Sequence, residues 1–364
     1  MILFILIFII GIAILILAHE LGHFIAAKKN GIWVEEFGFG FPPRIYGKKI
    51  GQTVYSINLI PLGGFVKLYG EEPGQKIDPH LKNLSFSQKK IWQRGLVLSA
   101  GVLMNLLVGV IFFSLSYTIG IPQSIGSLPA GIKADVFITQ VMPSSPAQKA
   151  GLKIGDKIIQ VIAPNEKIFS IDQVEILQKI VNQYRGQKIA LKIVRGRHQL
   201  KTIQIIPRQN PPANEGAMGV VLANTIIQKY PWYISIWMGI KSTFRLFGLI
   251  FYSLWILLVK VFSGQNIGQV VSGPVGIFVL MKQMASLGFS YLCYFWAILS
   301  VNLAVINILP LPALDGGRLL FLLIEKVRRK PVSPKIEAII HQVGFVFLIF
   351  LMILVTIGDI KRWL

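Results

Sequence analysis

Four long stretches of the chain are almost entirely apolar, and segments rich in polar and basic residues separate them. A run of about 20 apolar residues is what an α-helix needs to cross the hydrocarbon core of a bilayer. The runs are residues 2–18, 95–119, 287–309 and 339–358. We therefore predict a multi-pass α-helical membrane protein with four transmembrane helices, at residues 1–30, 95–119, 287–317 and 339–358.

A fifth apolar run, residues 246–259, is shorter and lies between Arg245 and Lys260. Runs of about 10 to 14 apolar residues more often lie in the membrane interface or re-enter the membrane than cross it. We therefore predict that the connecting region, residues 210–286, contains an interfacial or re-entrant helix. Hydropathy alone also permits a longer span that begins at Trp232.

Residues 135–207, between the second and third runs, have the pattern of a soluble domain. Short alternating runs with Pro and Gly at the turns predict strands, and apolar positions at helical spacing predict one helix over residues 171–184. The phrase "SSPAQKAGLKIGDKIIQV" resembles a circularly permuted PDZ domain of the protease-associated type. We assign one PDZ-like α+β domain to residues 120–209. Because PDZ domains bind extended peptides at a sheet edge, the resemblance implies recognition of peptide or protein tails.

The overall composition agrees with a membrane protein and weakens the case for a nucleic-acid-binding protein. Of the 364 residues 53% are hydrophobic, and the formal net charge is +21. A strongly basic chain can bind nucleic acid, but no zinc-finger or RRM pattern accompanies the charge here. Lys and Arg instead cluster between the apolar runs, as they do in cytoplasmic loops. We expect membrane lipid around the chain and no nucleic acid.

The first apolar run leads directly into the sequence "HELGH", residues 19–23. His19 and His23 are four residues apart and therefore project from the same face of a helix. H-E-x-x-H on a helix is a zinc motif in which the glutamate, here Glu20, serves as general base. Ionisable groups at membrane depth are costly and need a strong partner, which a divalent metal supplies. We predict that His19 and His23 bind Zn²⁺.

A catalytic zinc site needs a third protein ligand and leaves one position for water. Acidic residues are scarce in the other apolar segments, and Asp315 in "NILPLPALDGG" is the outstanding one. Pro310 and Pro312 should break the helix before it, and the two glycines after it allow the backbone to pass close to a site. We predict Asp315 as the third ligand. The alternative from pattern alone is a solvated Asp at the end of a loop.

"HELGH" together with "NILPLPALDGG" resembles the site-2 protease (M50) family of intramembrane zinc metalloproteases. The PDZ-like insert narrows the resemblance to the bacterial RseP-type branch. Four further phrases are similar to that branch: "EEFGFGFPPRIYG", "LIPLGGFVKLYGE", "LSAGVLMNLL" and "SGPVGI". Some of its members carry two tandem PDZ domains, whereas this chain has room for one.

The resemblance implies a role for each matching residue. His19, His23 and Asp315 would bind zinc, and Glu20 would be the catalytic base. Asn307 would hold the substrate strand or polarise its carbonyl, and Asn105 would line the site. The alternative for both Asn residues is an interhelical hydrogen bond.

The resemblance also implies that residues 31–94, after the first span, form a membrane-associated β-region and a cytoplasmic loop. Its Gly63–Gly64 strand would pair with an unwound substrate segment, so Gly63 and Gly64 are predicted substrate-binding residues. The resemblance further implies that the substrates are single-span membrane proteins, of which an anti-sigma factor is one example, and that the process is regulated intramembrane proteolysis.

The metal site also constrains the topology. Because both ligand-bearing ends must reach one ion, the first and third spans must run parallel, with an odd number of crossings between them. Residues 95–119 supply one crossing, which argues against a second lone span. The basic connections, including 318–338, place the loops in the cytoplasm and the PDZ-like domain outside a bacterial cell (inner) membrane.

Two other classes of protein remain open at this stage. A metal transporter would also bury His and Asp at membrane depth, but it predicts inverted repeats and gives Glu20 no role. A membrane-bound PDZ peptide-binding scaffold would need none of the catalytic residues.

Overall fold

The computed structural model describes residues 2–72, 75, 77–125, 134–196, 199–212, 215–263 and 273–363. Some predicted segments therefore lie partly outside the described residues, including Ser272 of "SGPVGI". The chain divides into two compact units, each with its own contacts. The membrane unit comprises residues 1–115, 233–282 and 293–364, and the β unit comprises residues 116–232 and 283–292.

Nine α-helices are found in the described residues. They are α1 Ile2–Lys29, α2 Ile91–Ile119, α3 Pro146–Lys149, α4 Val174–Gln183, α5 Trp232–Phe262, α6 Pro274–Leu287, α7 Phe289–Ile308, α8 Asp315–Arg328 and α9 Pro334–Trp363. Two short 3-10 helices precede α2, at Pro79–Leu84 and Phe86–Gln88.

Five helices are long and apolar enough to cross a membrane, judged by length and composition: α1, α2, α5, α7 and α9. The chain is therefore a multi-pass membrane protein, while the predicted number of four spans is not confirmed. The difference is α5, which runs for 31 residues without a break and is about 46 Å long. The 14-residue apolar run covers less than half of α5, whereas the longer span from Trp232 that hydropathy also permits begins where α5 begins. Helix α5 is long enough to cross a membrane. Its assignment as an interfacial or re-entrant helix stays a prediction.

The third predicted span differs from a simple helix at its end. Helix α7 stops at Ile308, and residues 309–314 are non-helical. The chain then forms α8, within the region that we predicted to be a loop, because Leu319 and Leu322 of α8 pack against the apolar core of the membrane unit.

Strands β1 (Val34–Ile50) and β2 (Thr53–Leu68) form the sheet of the membrane unit. The first part of β1 lies between two parts of β2, since Phe37 is opposite both Val66 and Tyr55. Residues 64–68 therefore form an edge, and within the described chain no further strand pairs with them.

A buried apolar cluster joins this sheet to the helices around it. It takes residues from α1 and the turn after it, both strands, the second 3-10 helix, α2 and α8: Ala26, Ala27, Ile32, Val34, Leu68, Phe86, Val97, Leu98 and Leu322. The burial of these side chains is the driving force that fixes α1, α2 and α8 around one point. Residues 19–23 on α1 and Asp315 at the start of α8 are held by this packing.

The β unit is built on a seven-stranded sheet with the order β3-β9-β4-β5-β7-β8, and β6 pairs with β5. The strands are β3 Ile121–Ile125, β4 Asp135–Val141, β5 Lys157–Ile162, β6 Ile168–Ser170, β7 Ile189–Arg195, β8 Gln199–Ile205 and β9 Val220–Gln228. Helix α4 contributes Leu177, Ile180 and Val181 to the core of this unit. The mixture of sheet and helix agrees with the predicted α+β class, and the PDZ assignment stays a prediction.

The "GD" pair of the PDZ-like phrase has a structural role in the β unit. Asp156 is completely buried, and its carboxylate accepts two hydrogen bonds from the Arg195 guanidinium at 2.7 Å each. The backbone N–H of Lys153 donates a third at 2.8 Å. A buried charge is tolerated when it is paired and fully hydrogen-bonded in this way.

Candidate metal centre

The two histidines of α1 project side by side into the interior of the membrane unit. His19 and His23 are each 8% exposed, and their Nε2 atoms are 3.1 Å apart. Their spacing of four residues places them one helical turn apart on one face, as the sequence predicts. Two imidazole nitrogens thus point at the same small volume.

Asp315 approaches the same volume from the start of α8. Its Oδ2 atom lies 3.0 Å from His19 Nε2 and 3.2 Å from His23 Nε2. The two glycines that follow it make this approach possible. A Cβ on Gly316 would lie 2.1 Å from the Leu309 carbonyl oxygen, and one on Gly317 would lie 2.2 Å from that of Leu311. Only residues without a Cβ allow α8 to begin this close to the loop.

The arrangement fits a metal ion. The three atoms lie within 4.8 Å of one another and form one metal-binding group. Tetrahedral zinc with bonds of about 2.0–2.1 Å separates its ligands by about 3.3 Å, close to the observed spacing. Asp315 Oδ2 is buried and has no hydrogen-bond partner of acceptable geometry. A buried carboxylate oxygen without a partner is costly, so a bound cation explains its position.

Helix α2 supports the His23 ring from behind. His23 Nδ1 is 2.8 Å from the backbone carbonyl oxygen of Val97, to which it can only donate. The hydrogen is therefore on Nδ1, and Nε2 presents its lone pair to the metal position. Close packing makes this contact possible, because a Cβ on Gly101 would lie 2.4 Å from His23 Nε2 and one on Gly22 would lie 2.3 Å from the Ala100 carbonyl oxygen.

Asn105 of α2 contacts the other histidine. Its side-chain amide lies 3.4 Å from His19 Nδ1, and its Oδ1 atom is buried without a partner. If His19 Nε2 binds a metal, Nδ1 carries the hydrogen and requires an acceptor. Oxygen and nitrogen of an Asn amide are assigned from the hydrogen-bond network, and exchanging them turns Oδ1 towards His19 Nδ1. That orientation gives both atoms a partner. Asn105 is predicted to line the substrate site, and it lines the cavity beside α7 as well as contacting a predicted ligand.

Glu20 lines two cavities that both reach the metal position. One cavity, of about 240 Å³, is bounded by Phe65 and Val66 of β2. The other, of about 250 Å³, is bounded by Leu303 and Asn307 of α7. His19, Glu20 and Asp315 line both. A water molecule or a peptide carbonyl can therefore reach the metal position beside the Glu20 side chain.

Asn307 and Gly64 also lie at the site, whereas Gly63 lies next to it. Asn307 Nδ2 is 3.5 Å from His19 Nε2, the nitrogen that faces the metal position. A Cβ on Gly64 would lie 3.3 Å from Glu20 Cγ, so this part of the β2 edge passes directly over the glutamate. Gly63 has φ +129° and faces the Phe41 ring, and it permits the bend in β2.

Sequence reasoning missed several residues around the centre. Glu71 and Arg318 line the first cavity and form an ion pair with each other. Arg318 lies one helical turn after Asp315, and this spacing could have indicated that Arg318 is near the metal centre. His341 of α9 accepts a hydrogen bond from the loop before Asp315. A lone His in an apolar helix gives no indication of a partner 28 residues away.

A helix with His-Glu-x-x-His, joined by a carboxylate from another apolar segment, defines the class of membrane-embedded metallopeptidases. The sequence profile of peptidase family M50 matches residues 7–351. The chain belongs to this family.

Individual relatives cover almost the whole chain. The protein named "Putative zinc metalloprotease CPE1693" from Clostridium perfringens is 38% identical over 348 residues, which are 95% of each chain. "Putative zinc metalloprotease all3971" from Nostoc is 36% identical over 360 residues, covering 96% of this chain and 93% of the relative. "Zinc metalloprotease RasP" from Oceanobacillus iheyensis is 29% identical over 441 residues, with 98% of each chain covered.

These comparisons confirm the predicted family and the predicted class of metalloprotease. Membership of a peptidase family favours the peptidase over the transporter and scaffold alternatives. All three names specify zinc, in agreement with the predicted metal.

Proposed function

We propose that the protein is a zinc metalloendopeptidase that hydrolyses peptide bonds within the transmembrane segments of single-span membrane proteins. The observation that carries this proposal is the convergence of His19, His23 and Asp315 beside Glu20, among helices apolar enough to cross a membrane. An anti-sigma factor would be a substrate of this kind, which would make the reaction a step of regulated intramembrane proteolysis.

In this proposal His19 and His23 bind zinc through Nε2, and Asp315 binds it through Oδ2. When bound, zinc lowers the pKa of a water molecule towards 7 or so and polarises the peptide carbonyl. The chain's own contribution is to fix the ligands. Val97 holds the His23 ring through its carbonyl oxygen, and Asn105 would accept from His19 Nδ1 once its amide is turned so that Oδ1 faces the ring. Outer contacts of this type typically contribute about 10–100-fold to metal affinity or activity.

Glu20 accepts the proton from the attacking water and then donates it to the leaving amide nitrogen. Both cavities at the site include its side chain, so it can contact the water on one side and the peptide on the other. General acid–base catalysis of this kind typically contributes about 10²–10⁴-fold to the rate.

The substrate binds as an extended strand along residues 64–68 of β2. A helical peptide bond is shielded by its own hydrogen bonds, so the substrate helix must unwind before the carbonyl is accessible. The unpaired backbone of the β2 edge would replace those hydrogen bonds. Gly64 leaves room above Glu20, and Asn307 Nδ2 donates to the carbonyl oxygen under attack.

The β unit is proposed to be a PDZ-like domain on the outer side of a bacterial cell membrane, where it binds peptide or protein tails. Its position follows from the basic connections on the opposite side. Reporters fused within residues 160–170 should therefore be extracytoplasmic, and reporters near Lys330 cytoplasmic. A cytoplasmic reporter at residue 265 would show that α5 crosses the membrane and would contradict the four-span topology.

The test of the proposed activity is co-expression with candidate single-span membrane proteins. The parent chain should release a fragment from the membrane, and Glu20→Gln should not. Asp315→Ala should abolish release as well, and it should also lower the zinc content of the purified protein. Full zinc content in Asp315→Ala would contradict the ligand assignment, and fragment release by Glu20→Gln would contradict the mechanism.

A further inference from the structure

The six residues before α8, Leu309–Leu314, hold a metal ligand in a conformation that the loop does not favour by itself. Ala313, two residues before Asp315, has φ +70°, in the left-handed region that side chains other than Gly adopt rarely. Such a conformation costs of the order of 1–3 kcal/mol and persists only where neighbouring groups hold it. The contacts of this loop therefore determine where the Asp315 carboxylate lies.

Helix α9 makes two such contacts, one helical turn apart. The backbone N–H of Ala313 donates to His341 Nδ1 at 2.8 Å. Because a backbone N–H can only donate, Nδ1 must be the acceptor and the ring is neutral with its hydrogen on Nε2. Three residues further on, Gly344 packs against Pro312. A Cβ on Gly344 would lie 2.2 Å from Pro312 Cβ.

The remainder of α9 is too exposed to explain these contacts as general packing. Between residues 334 and 361 only Gly344 and Asp359 are buried. Asp359 Oδ2 accepts a hydrogen bond from the Gly276 backbone N–H at 2.7 Å, at the start of α6. Helix α9 is thus fixed at the loop before Asp315 near one end and at α6 near the other.

His341 does not belong to the metal-binding group, which in the described residues consists of His19, His23 and Asp315. We propose that His341 and Gly344 are positioning residues: through Ala313 and Pro312 they fix the Asp315 loop, so that α9 sets the affinity of the site for its metal. This inference rests on the proposed function, because it concerns the ligand Asp315.

The test compares two pairs of variants. Asn places its Oδ1 near the position of His Nδ1, whereas Gln extends its oxygen further, so His341→Asn retains the acceptor and His341→Gln misplaces it. Gly344→Ala introduces the Cβ against Pro312, and Gly358→Ala is the matched control because nothing lies within 4 Å of a Cβ at that position of α9.

Zinc affinity is measured by chelator competition on the purified full-length chain, and ligand geometry by the visible absorption of the Co²⁺-loaded protein. His341→Gln and Gly344→Ala should weaken zinc binding by about 10–100-fold, the range for residues that support a ligand. They should also change the Co²⁺ spectrum. His341→Asn and Gly358→Ala should retain the parental affinity and spectrum.

Parental affinity and spectrum in both His341→Gln and Gly344→Ala would overturn the inference. Equal loss in His341→Asn and His341→Gln would also overturn it, because the acceptor would then be irrelevant. The proposed function is tested separately in the same series. If the parent binds no zinc, or if Asp315→Ala binds as the parent does, the ligand assignment itself fails.

Discussion

Buried polar side chains in the β unit have partners within that unit, whereas several in the membrane unit contain an atom that has none. Asp156 is fully paired with Arg195, and Asn224 accepts from the Val174 N–H at 2.8 Å at the start of α4. Among the described residues, every buried side-chain atom without a hydrogen-bond partner lies in the membrane unit. These atoms are Arg94 Nε, Asn105 Oδ1, Thr243 Oγ1, Asp315 Oδ2 and His341 Nε2.

The location of these atoms is informative, because Asn105 and Asp315 surround the metal position and His341 supports the loop beside it. A buried polar atom without a partner costs several kcal/mol in apolar surroundings. Hydrogen bonds within the β unit satisfy its buried polar atoms. At the metal centre, a bound cation would satisfy Asp315 Oδ2. The comparison therefore separates the polar residues that stabilise the β unit from Asn105 and Asp315, whose unpartnered atoms are explained by the metal centre.

The largest expected effect is on turnover in Glu20→Gln. This change preserves the size of the side chain and all three ligands but removes the base, so turnover should fall by about 10²–10⁴-fold while zinc stays bound. Substrate cleavage and zinc content are measured on the same preparation. Glu166→Gln, at an exposed position of the β unit, is the control and should behave as the parent.

A second effect is expected where α2 packs against the ligands. Gly101→Ala places a Cβ at 2.4 Å from His23 Nε2, so the ring must move and zinc affinity should fall by at least about 10-fold. Gly95→Ala on the same helix has nothing within 4 Å of the new Cβ and should retain parental affinity. Equal affinity in the two variants would show that His23 is not held where the structure places it.

A more moderate effect is expected at Asn105. Asn105→Leu removes the acceptor for His19 Nδ1 and should weaken zinc binding by about 10-fold. Asn302→Leu is the matched control. The Asn302 side chain donates to the Ile298 carbonyl oxygen of its own helix at 2.9 Å, and it has no proposed contact with a ligand. If both variants bind zinc equally, Asn105 has only the interhelical role that its sequence context also allows.

The smallest effect on the metal centre is expected from a change in the β unit. Asp156→Ala removes the carboxylate that accepts hydrogen bonds from the Arg195 guanidinium and the Lys153 N–H, which should lower the stability of the β unit. Hydrogen exchange at the backbone amides of β5 and β7 should therefore become faster. Zinc content should not change, because all three ligands belong to the membrane unit. Loss of zinc in this variant would contradict the proposal that metal binding depends on the membrane unit alone.

Deleting residues 135–207 is a second test of whether metal binding and catalysis are independent of the β unit. Zinc and basal cleavage should survive, since this segment contains none of the proposed ligands or the base. We expect untrimmed substrates to be cut more readily, if the PDZ-like domain selects what enters the site. A folded deletion variant that binds zinc and cleaves nothing would contradict this division of roles.

The ligand set could be predicted from the sequence because His and Asp are rare in apolar segments. The spacing of His19 and His23 is local, and Asp315 had few competitors. The structure brings these three residues together, and their binding of zinc stays a prediction. Only the family resemblance predicts that Asn105 lies near the site. Its contact with His19 depends on how α1 and α2 pack.

Other features depend on contacts that no local pattern records. His341 matters through the backbone of Ala313, and Gly101 matters because it lets α2 approach His23. Hydropathy permits the continuous helix α5 without favouring it, because Lys241 and Arg245 interrupt its apolar run without interrupting its backbone. The strand order of the β unit likewise arises from pairings between distant segments, such as β3 and β4 with β9.

The most direct test of the metal centre is X-ray absorption spectroscopy of the zinc-loaded full-length protein. We predict a first shell of two imidazole nitrogens and oxygen ligands at about 2.0–2.2 Å, with one imidazole lost in His23→Ala. Cys293 is the only cysteine of the chain and is not one of the grouped ligands. A sulfur ligand at about 2.3 Å, or a shell without imidazole, would contradict the site built from His19, His23 and Asp315.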